Sequence, residues 1–187
     1  MKKKLNWREF INFWKKYYYD PKNQDKNIYF SHLRKKVFKP EDVICLLKWK
    51  LQNTYRFHAK RYEELANKYI NQINNFKKNR KIGFNNFLSE VAEKFSKQLP
   101  IKIFILHICQ PDKFPIIDQH TYRSFIFLTE NKIIKGPIPF NVSLDDYQKL
   151  KEFIFKIQRK TNINLRDIDR GLMTFGSFLN NPQKYSK

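Results

Sequence analysis

Glycine is scarce in this chain: there are four in 187 residues, at positions 83, 136, 171 and 176. No glycine-rich loop exists to cradle a phosphate, which excludes nucleotide hydrolysis of the P-loop kind. Cysteine is rarer still, with only Cys45 and Cys109, too few for a four-thiolate cluster or a disulfide framework. The chain is therefore expected to be cytoplasmic with reduced thiols. No wholly apolar run approaches the ~20 residues a membrane span needs, and the most apolar segment holds only the short run 103–106. The N-terminal MKKKLNWRE carries charge with no apolar stretch behind it, so no signal peptide is expected. Acidic residues are also short, with 17 Asp+Glu against 38 Lys+Arg.

What is present is a basic, aromatic-rich chain of a size for one domain with its own core. Hydrophobic residues make up 41% and aromatics 17%, which sets it apart from a disordered basic tail. The formal net charge of +21 repels itself unless an anion is near, and phosphates neutralised by Lys or Arg release condensed counterions. Abundant Lys, Asn, Ile, Phe and Tyr are also what an AT-rich genome favours, so part of the charge is surface filler. Nucleic acid, DNA ahead of RNA, is the expected partner. A membrane surface is not expected, since no helix pairs a wide apolar face with an all-basic one. Basic clusters lie at 2–4, 34–36, 77–81 and 156–160. Such clusters are usually solvated faces, but several on one side make a DNA track.

The periodicity is helical nearly throughout. Trp7, Phe10, Ile11, Trp14 and Tyr17 share one face of a helix that stops at Asp20-Pro21, followed by a polar loop over 21–27. A short helix is expected over 29–37. Another begins at Pro40, with Glu41 and Asp42 at its positive end. A long helix over 55–78 is broken before Gly83, and Phe84, Phe87, Leu88, Val91 and Phe95 form another stripe. Residues 99–108 (LPIKIFILHI) are apolar all round, so period cannot separate helix from strand. A buried helix is expected, because nothing else offers a strand to pair with it. Residues 135–139 (KGPIP) read as a loop, Ser143 with Asp146 as a capping box, and Asn164 as the cap of a last helix carrying Leu165, Ile168, Leu172, Phe175 and Leu179. The expected fold is a single all-α domain over 1–187, of about eight helices, with a division into two lobes near Phe84 or Gln98 left open.

Residues 114–123 (FPIIDQHTYR) set an extended apolar approach before an acid at a helix start. On residue type alone Asp118 serves equally as the helix N-cap. The segment also resembles the helix–hairpin–helix DNA glycosylase superfamily, in which such an approach ends in Asp-x-His-x-x-Arg; here Asp118, His120 and Arg123 carry the spacing. Leu99-Pro100 stands where that family has its hairpin. Residues 165–179 and the pair Trp49-Lys50 resemble features of its small relatives. The likeness spans about 43–179, with its specific part near ten residues. The family hairpin reads Leu-Pro-Gly-Val-Gly, whereas this chain has Leu99-Pro100-Ile101-Lys102-Ile103, without the glycines that let backbone N–H groups approach a phosphate.

The resemblance implies a monomeric DNA glycosylase that needs no metal or other cofactor; the four-cysteine iron–sulfur motif of some members is absent. Asp118 is then the catalytic carboxylate, stabilising positive charge that develops on the sugar or activating water. Lys102 is the nearest match to the family's lyase lysine, which has to be neutral to attack the sugar, a state that burial in the apolar run favours, although the commoner fate of such a lysine is to snorkel to the surface. His120, Arg123, Lys97 and Lys113 are the expected nucleic-acid contacts. Trp14, Trp49, Tyr55 and Tyr122 are candidates to wall an extruded base, although aromatics at helical spacing are more often core. A binding module that kept the fold without the chemistry, and an all-α adaptor, are the competing readings.

Overall fold

In the computed structural model, residues 5–79, 83–136 and 142–185 are described, and the statements below concern these residues. The fold is all-α, and no strand occurs among the described residues. The helices are α1 (Trp7–Lys15), α2 (Ser31–Leu33), α3 (Pro40–Leu51), α4 (Ala59–Lys78), α5 (Phe84–Phe87), α6 (Glu93–Phe95), α7 (Leu99–Cys109), α8 (Gln119–Glu130), α9 (Leu144–Thr161) and α10 (Leu165–Asn180). No helix among them is long and apolar enough to cross a membrane. The chain forms two compact units. One runs from Asp20 to Phe114, and the other joins the N-terminal stretch up to Tyr19 with everything from Pro115 onward. The stretch 84–98 lies inside the Asp20–Phe114 unit, so the changes of unit fall at 19/20 and 114/115.

The Asp20–Phe114 unit is built on α7, whose residues Ile103, Phe104, Ile105, Leu106 and Ile108 have no exposed surface. That burial on every side explains why the sequence shows no amphipathic period there. Pro100 occupies the first turn of α7, where its missing N–H costs nothing. Against α7 pack the 88–95 stretch and α4, with Tyr62, Ala66, Ile73 and Phe76 buried, and α3 packs on α4 with Val43, Leu46 and Leu47 buried. α3 starts as its acids foretell: Asp42 Oδ2 accepts the Lys39 N–H at 2.9 Å. Burial pushes the Asp42 carboxyl up, but Lys35, the Lys39 N–H and His32 outweigh it and hold the carboxyl below its ordinary range. Of the loop expected over 21–27, Pro21–Asn23 keeps non-helical backbone, with Lys22 and Asn23 at positive φ of 58° and 52°, whereas the chain from Asp25 winds into a π-helical stretch, Asp25–Phe30. The short helix expected over 29–37 accordingly ends early, at Leu33. The reason is Asp25, whose N–H reaches the Asp20 carboxylate at 3.1 Å and whose Oδ1 accepts the Trp49 indole N–H at 3.2 Å. α4 begins at Ala59, later than the periodicity suggests, because Gln52 takes a positive φ of 48° and the chain tightens into a 3-10 segment, Gln52–His58.

The other unit packs α1, α8 and α9 around α10. Ile168, Leu172 and Leu179 of α10 face Ile11 of α1 and the apolar sides of α8 and α9, which include Phe125, Tyr147, Leu150 and Ile154. Phe10 meets Phe175 edge-on at 5.0 Å and Trp7 meets Phe153 at 5.5 Å. The α9 capping box forms as expected: Ser143 Oγ accepts the Asp146 N–H at 3.1 Å, and Asp146 Oδ2 accepts the Ser143 N–H at 3.1 Å. Asn164 caps α10 by accepting the Asp167 N–H at 2.9 Å. α8 and α9 both end on an asparagine in the left-handed region, Asn131 and Asn162, a conformation asparagine tolerates better than most residues. The expected loop over 135–139 is described only at Lys135 and Gly136; Pro137, Ile138 and Pro139 lie outside the described residues, as do the basic cluster at 2–4 and Arg80 and Lys81.

Candidate functional site

The apolar approach delivers Asp118 to the start of α8. Ile116 and Ile117 are buried, and the Tyr147 hydroxyl, itself fully buried, donates to the Pro115 carbonyl at 3.1 Å. Burial drives that hydroxyl's pKa far upward, so it remains a donor. Asp118 has extended backbone and caps α8: its Oδ1 accepts the N–H of His120 at 2.8 Å and of Thr121 at 2.9 Å. Oδ2 accepts no hydrogen bond from the described residues, and the side chain is half-buried. One carboxylate oxygen is thus committed to the helix and the other is left over.

One turn on, Arg123 has no exposed surface and heads the fully buried side chains by size. Its Nε donates to the Ile134 carbonyl at 2.7 Å, Nη2 to the Gly136 carbonyl at 2.6 Å, and Nη1 to His120 Nδ1 at 2.8 Å. A guanidinium cannot accept, so His120 Nδ1 must, which places the ring proton on Nε2. Burial, opposed by the nearby Asp118 and reinforced by Arg123, pulls the His120 pKa below its ordinary value, consistent with a neutral imidazole. The sequence offered Arg123 as a nucleic-acid contact. The structure corrects this, since its donors are spent on protein acceptors and none reaches the surface. Its work is to hold His120 and the 134–136 segment against α8.

The close fit of α8 on α10 completes the setting. Gly176 lies so near that a Cβ there would stand 1.9 Å from the His120 carbonyl oxygen and 2.8 Å from Ser124 Oγ. Beside it, on the inner side of α8, is a polar cluster that sequence reasoning missed. Asp169 is buried, ion-paired with Arg166, and accepts from Thr121 Oγ1 at 3.4 Å, while Arg166 Nη2 donates to the Tyr18 hydroxyl at 2.9 Å. The signal available was the i,i+3 spacing of Arg166 and Asp169, but that pattern is ordinary on exposed helix faces. Only the packing of α8 and α1 turns it inward.

The remaining candidates belong to the Asp20–Phe114 unit. Lys102 sits in the first turns of α7, and its Nζ meets Glu93 Oε1 at 3.1 Å. Of the two fates open to this amine, burial in the apolar run or a head that reaches out of it, the structure shows the second, because the stem of a lysine can cover apolar surface while its head stays with a charge. Lys97 is exposed in the bend before α7, and Lys113 is half-buried in the turn after it. Trp49, paired with Lys50 in the sequence, donates to Asp25 and lies 4.7 Å from the Tyr29 ring and 5.9 Å from Phe104. His107 bridges the Tyr29 hydroxyl and the Phe114 carbonyl, each at 2.6 Å. The carbonyl can only accept, so Nδ1 carries a proton. Cys109 is buried, its thiol on the Ile105 carbonyl at 3.2 Å, and burial pushes its pKa far up, leaving it inert. Trp14 packs on Phe175 and Phe178, Tyr55 on Tyr62, and Tyr122 on Phe125. Among the described residues, no group of three His, Cys, Asp or Glu could hold a metal ion.

The structure therefore brings together Asp118, His120 and Arg123 and surrounds them with Thr121, Asp169, Arg166 and Gly176. No family model, no curated protein and no solved structure matches the chain.

Proposed function

We propose that the chain is a DNA glycosylase-like enzyme acting on a damaged or modified base, with Asp118 as its catalytic carboxylate. The observation that carries this reading is the divided use of that carboxylate: Oδ1 is locked by two backbone N–H groups and Oδ2 accepts nothing from the described residues. A carboxylate held by its helix with one oxygen to spare is suited to stabilise charge that appears only as a bond breaks. In N-glycoside hydrolysis the C1′–N bond electrons leave with the base. Positive charge builds on the sugar beside the carboxylate, and water adds to C1′ and gives up a proton. Arg123 and neutral His120 support the turn that aims the acid. The net charge of +21 supplies attraction to the DNA backbone.

A second reading, a nucleic-acid-binding protein that kept this architecture without the chemistry, is favoured by residues 99–103, which lack hairpin glycines, and by Lys102, whose amine is occupied by Glu93. The test is base release from duplexes bearing uracil, 8-oxoguanine, an alkylated purine or an abasic site, with wild type beside Asp118→Asn and borohydride present. Release that vanishes in the variant is expected. A borohydride-trapped adduct would direct attention to a lysine. Salt-sensitive binding without release would favour the second reading. Neither binding nor release would favour a protein adaptor whose charge is compositional.

A further inference from the structure

α1 carries aromatic rings on both of its sides. Ile11 is fully buried and packs against Gly171 of α10, while Trp14 reaches inward to Phe178 at 4.9 Å. On the outer side Phe13, in the last turns of α1, and Tyr17, in the turn that follows it, are each 51% exposed, with ring centroids 5.3 Å from one another. Tyr19, two residues further on, is 77% exposed. Core formation does not account for these rings, since burying a large aromatic side chain is what makes it stabilising. Trp14 touches both Phe13 and Tyr17, at 5.2 and 6.3 Å, so the exposed pair rests on a packed aromatic base.

The charges nearby select the partner. Lys16 is exposed at the end of α1, and Lys184, next to Tyr185, extends the same aromatic group, since the Tyr185 ring lies 6.5 Å from Trp14. Lys15 is held by Asp167 at 3.1 Å, which leaves Glu9, in the first turn, as the acid on the outer side of α1. A second copy of the chain would bring two bodies of +21 together, which self-repulsion opposes. A polyanion that also presents flat apolar faces meets both demands, and unpaired bases on a phosphate backbone are such a ligand. In a duplex those faces are already stacked on one another. We infer that the Phe13–Tyr17 surface at the C-terminal end of α1 is a stacking platform for a single-stranded segment of nucleic acid. The inference stands apart from the glycosylase reading, because it uses none of the residues around Asp118.

The test is fluorescence anisotropy with a fluorescein-labelled single-stranded 12-mer of mixed sequence and with the blunt duplex of that sequence. Wild type is compared with Phe13→Ala/Tyr17→Ala and with Phe13→Leu/Tyr17→Leu, which keeps apolar bulk without rings. Both double variants are expected to weaken single-strand binding by about 10–100-fold, the loss of one or two stacked bases, with duplex affinity unchanged. The proposal is overturned if wild type does not bind the single strand, if the variants bind it normally, if duplex affinity falls in parallel, or if the leucine variant retains full affinity. Melting temperatures are read alongside. Should the alanine pair unfold, the leucine pair carries the comparison. Base release from damaged duplexes by the same variants is expected to persist, so failure of one reading leaves the other intact.

Discussion

At the scale of a single side chain Asp118 caps α8, and the proposed function would give it a second, catalytic role; substitution separates the two. Asparagine can still accept the His120 and Thr121 N–H groups, so Asp118→Asn is expected to keep its melting temperature while losing base release. Asp118→Ala also removes the cap and is expected to cost about 0.5–2 kcal/mol in a denaturant titration. A large stability loss in the asparagine variant would mean that the carboxylate charge itself holds the fold. His120 adds a pH dependence. Burial lowers its proton affinity in the folded state, so below the ordinary histidine value the unfolded chain holds a proton that the folded one does not. Its contribution to stability is therefore complete above that value and is lost as pH falls toward the lower folded value. Wild type is expected to lose melting temperature between neutral pH and about pH 5.5, and His120→Gln to lose less, since an unperturbed histidine titrates near pH 6.5. Equal slopes would remove His120 as the cause. The Asp-x-His-x-x-Arg spacing was legible in the sequence; the burial of Arg123 was not, because nothing in the helical pattern shows that the carbonyls of Ile134 and Gly136, beyond the end of α8, come back to its guanidinium.

At the scale of elements, α10 is the helix on which the Asp118 unit depends. Its two glycines differ in what stands against them. At Gly176 a methyl group would meet the backbone of His120, which cannot swing aside, so Gly176→Ala is expected to exceed the ~1–3 kcal/mol usual for overpacking and to displace α8. At Gly171 the nearest atoms are 3.2 Å away on Ile11, partly side chain, and Gly171→Ala is expected to be far milder, helped by the better helix propensity of alanine. Thermal melts of the two variants side by side check this, and equal effects would contradict the packing. In the other unit, Leu106 of α7 has no exposed surface, and Leu106→Ala is expected to cost ~2–5 kcal/mol in a urea titration. The helical identity of 99–109 rested on exclusion rather than on pattern, since a segment buried all round has no polar face to give a period. The helical winding of 25–30 was hidden for a related reason: Asp25 is buried and bonded to Asp20 and Trp49, and a polar stretch with tertiary partners reads as a loop.

At the scale of the whole molecule, charge dominates. An excess of +21 that engages phosphates makes the logarithm of the DNA affinity fall steeply with the logarithm of salt, by roughly 0.9 for every phosphate contacted. Affinity measured across a salt series is expected to show that slope; a flat line would indicate an adaptor whose lysines serve only solubility. What the sequence by itself determined is what short-range chemistry and composition control: an all-α chain, the capping of α3, α9 and α10, the acid at the start of α8, and the positive sign of the chain's own net charge. Tertiary structure alone decided which charges are sequestered and which are offered. It drew α1 into the unit formed by the C-terminal helices, buried Arg123 and Asp169, turned Lys102 to Glu93, and left Phe13 and Tyr17 facing outward. Periodicity reports that a residue lies on a face, but the free energy of burying it is set by the element that packs against that face, and that element is distant in the chain.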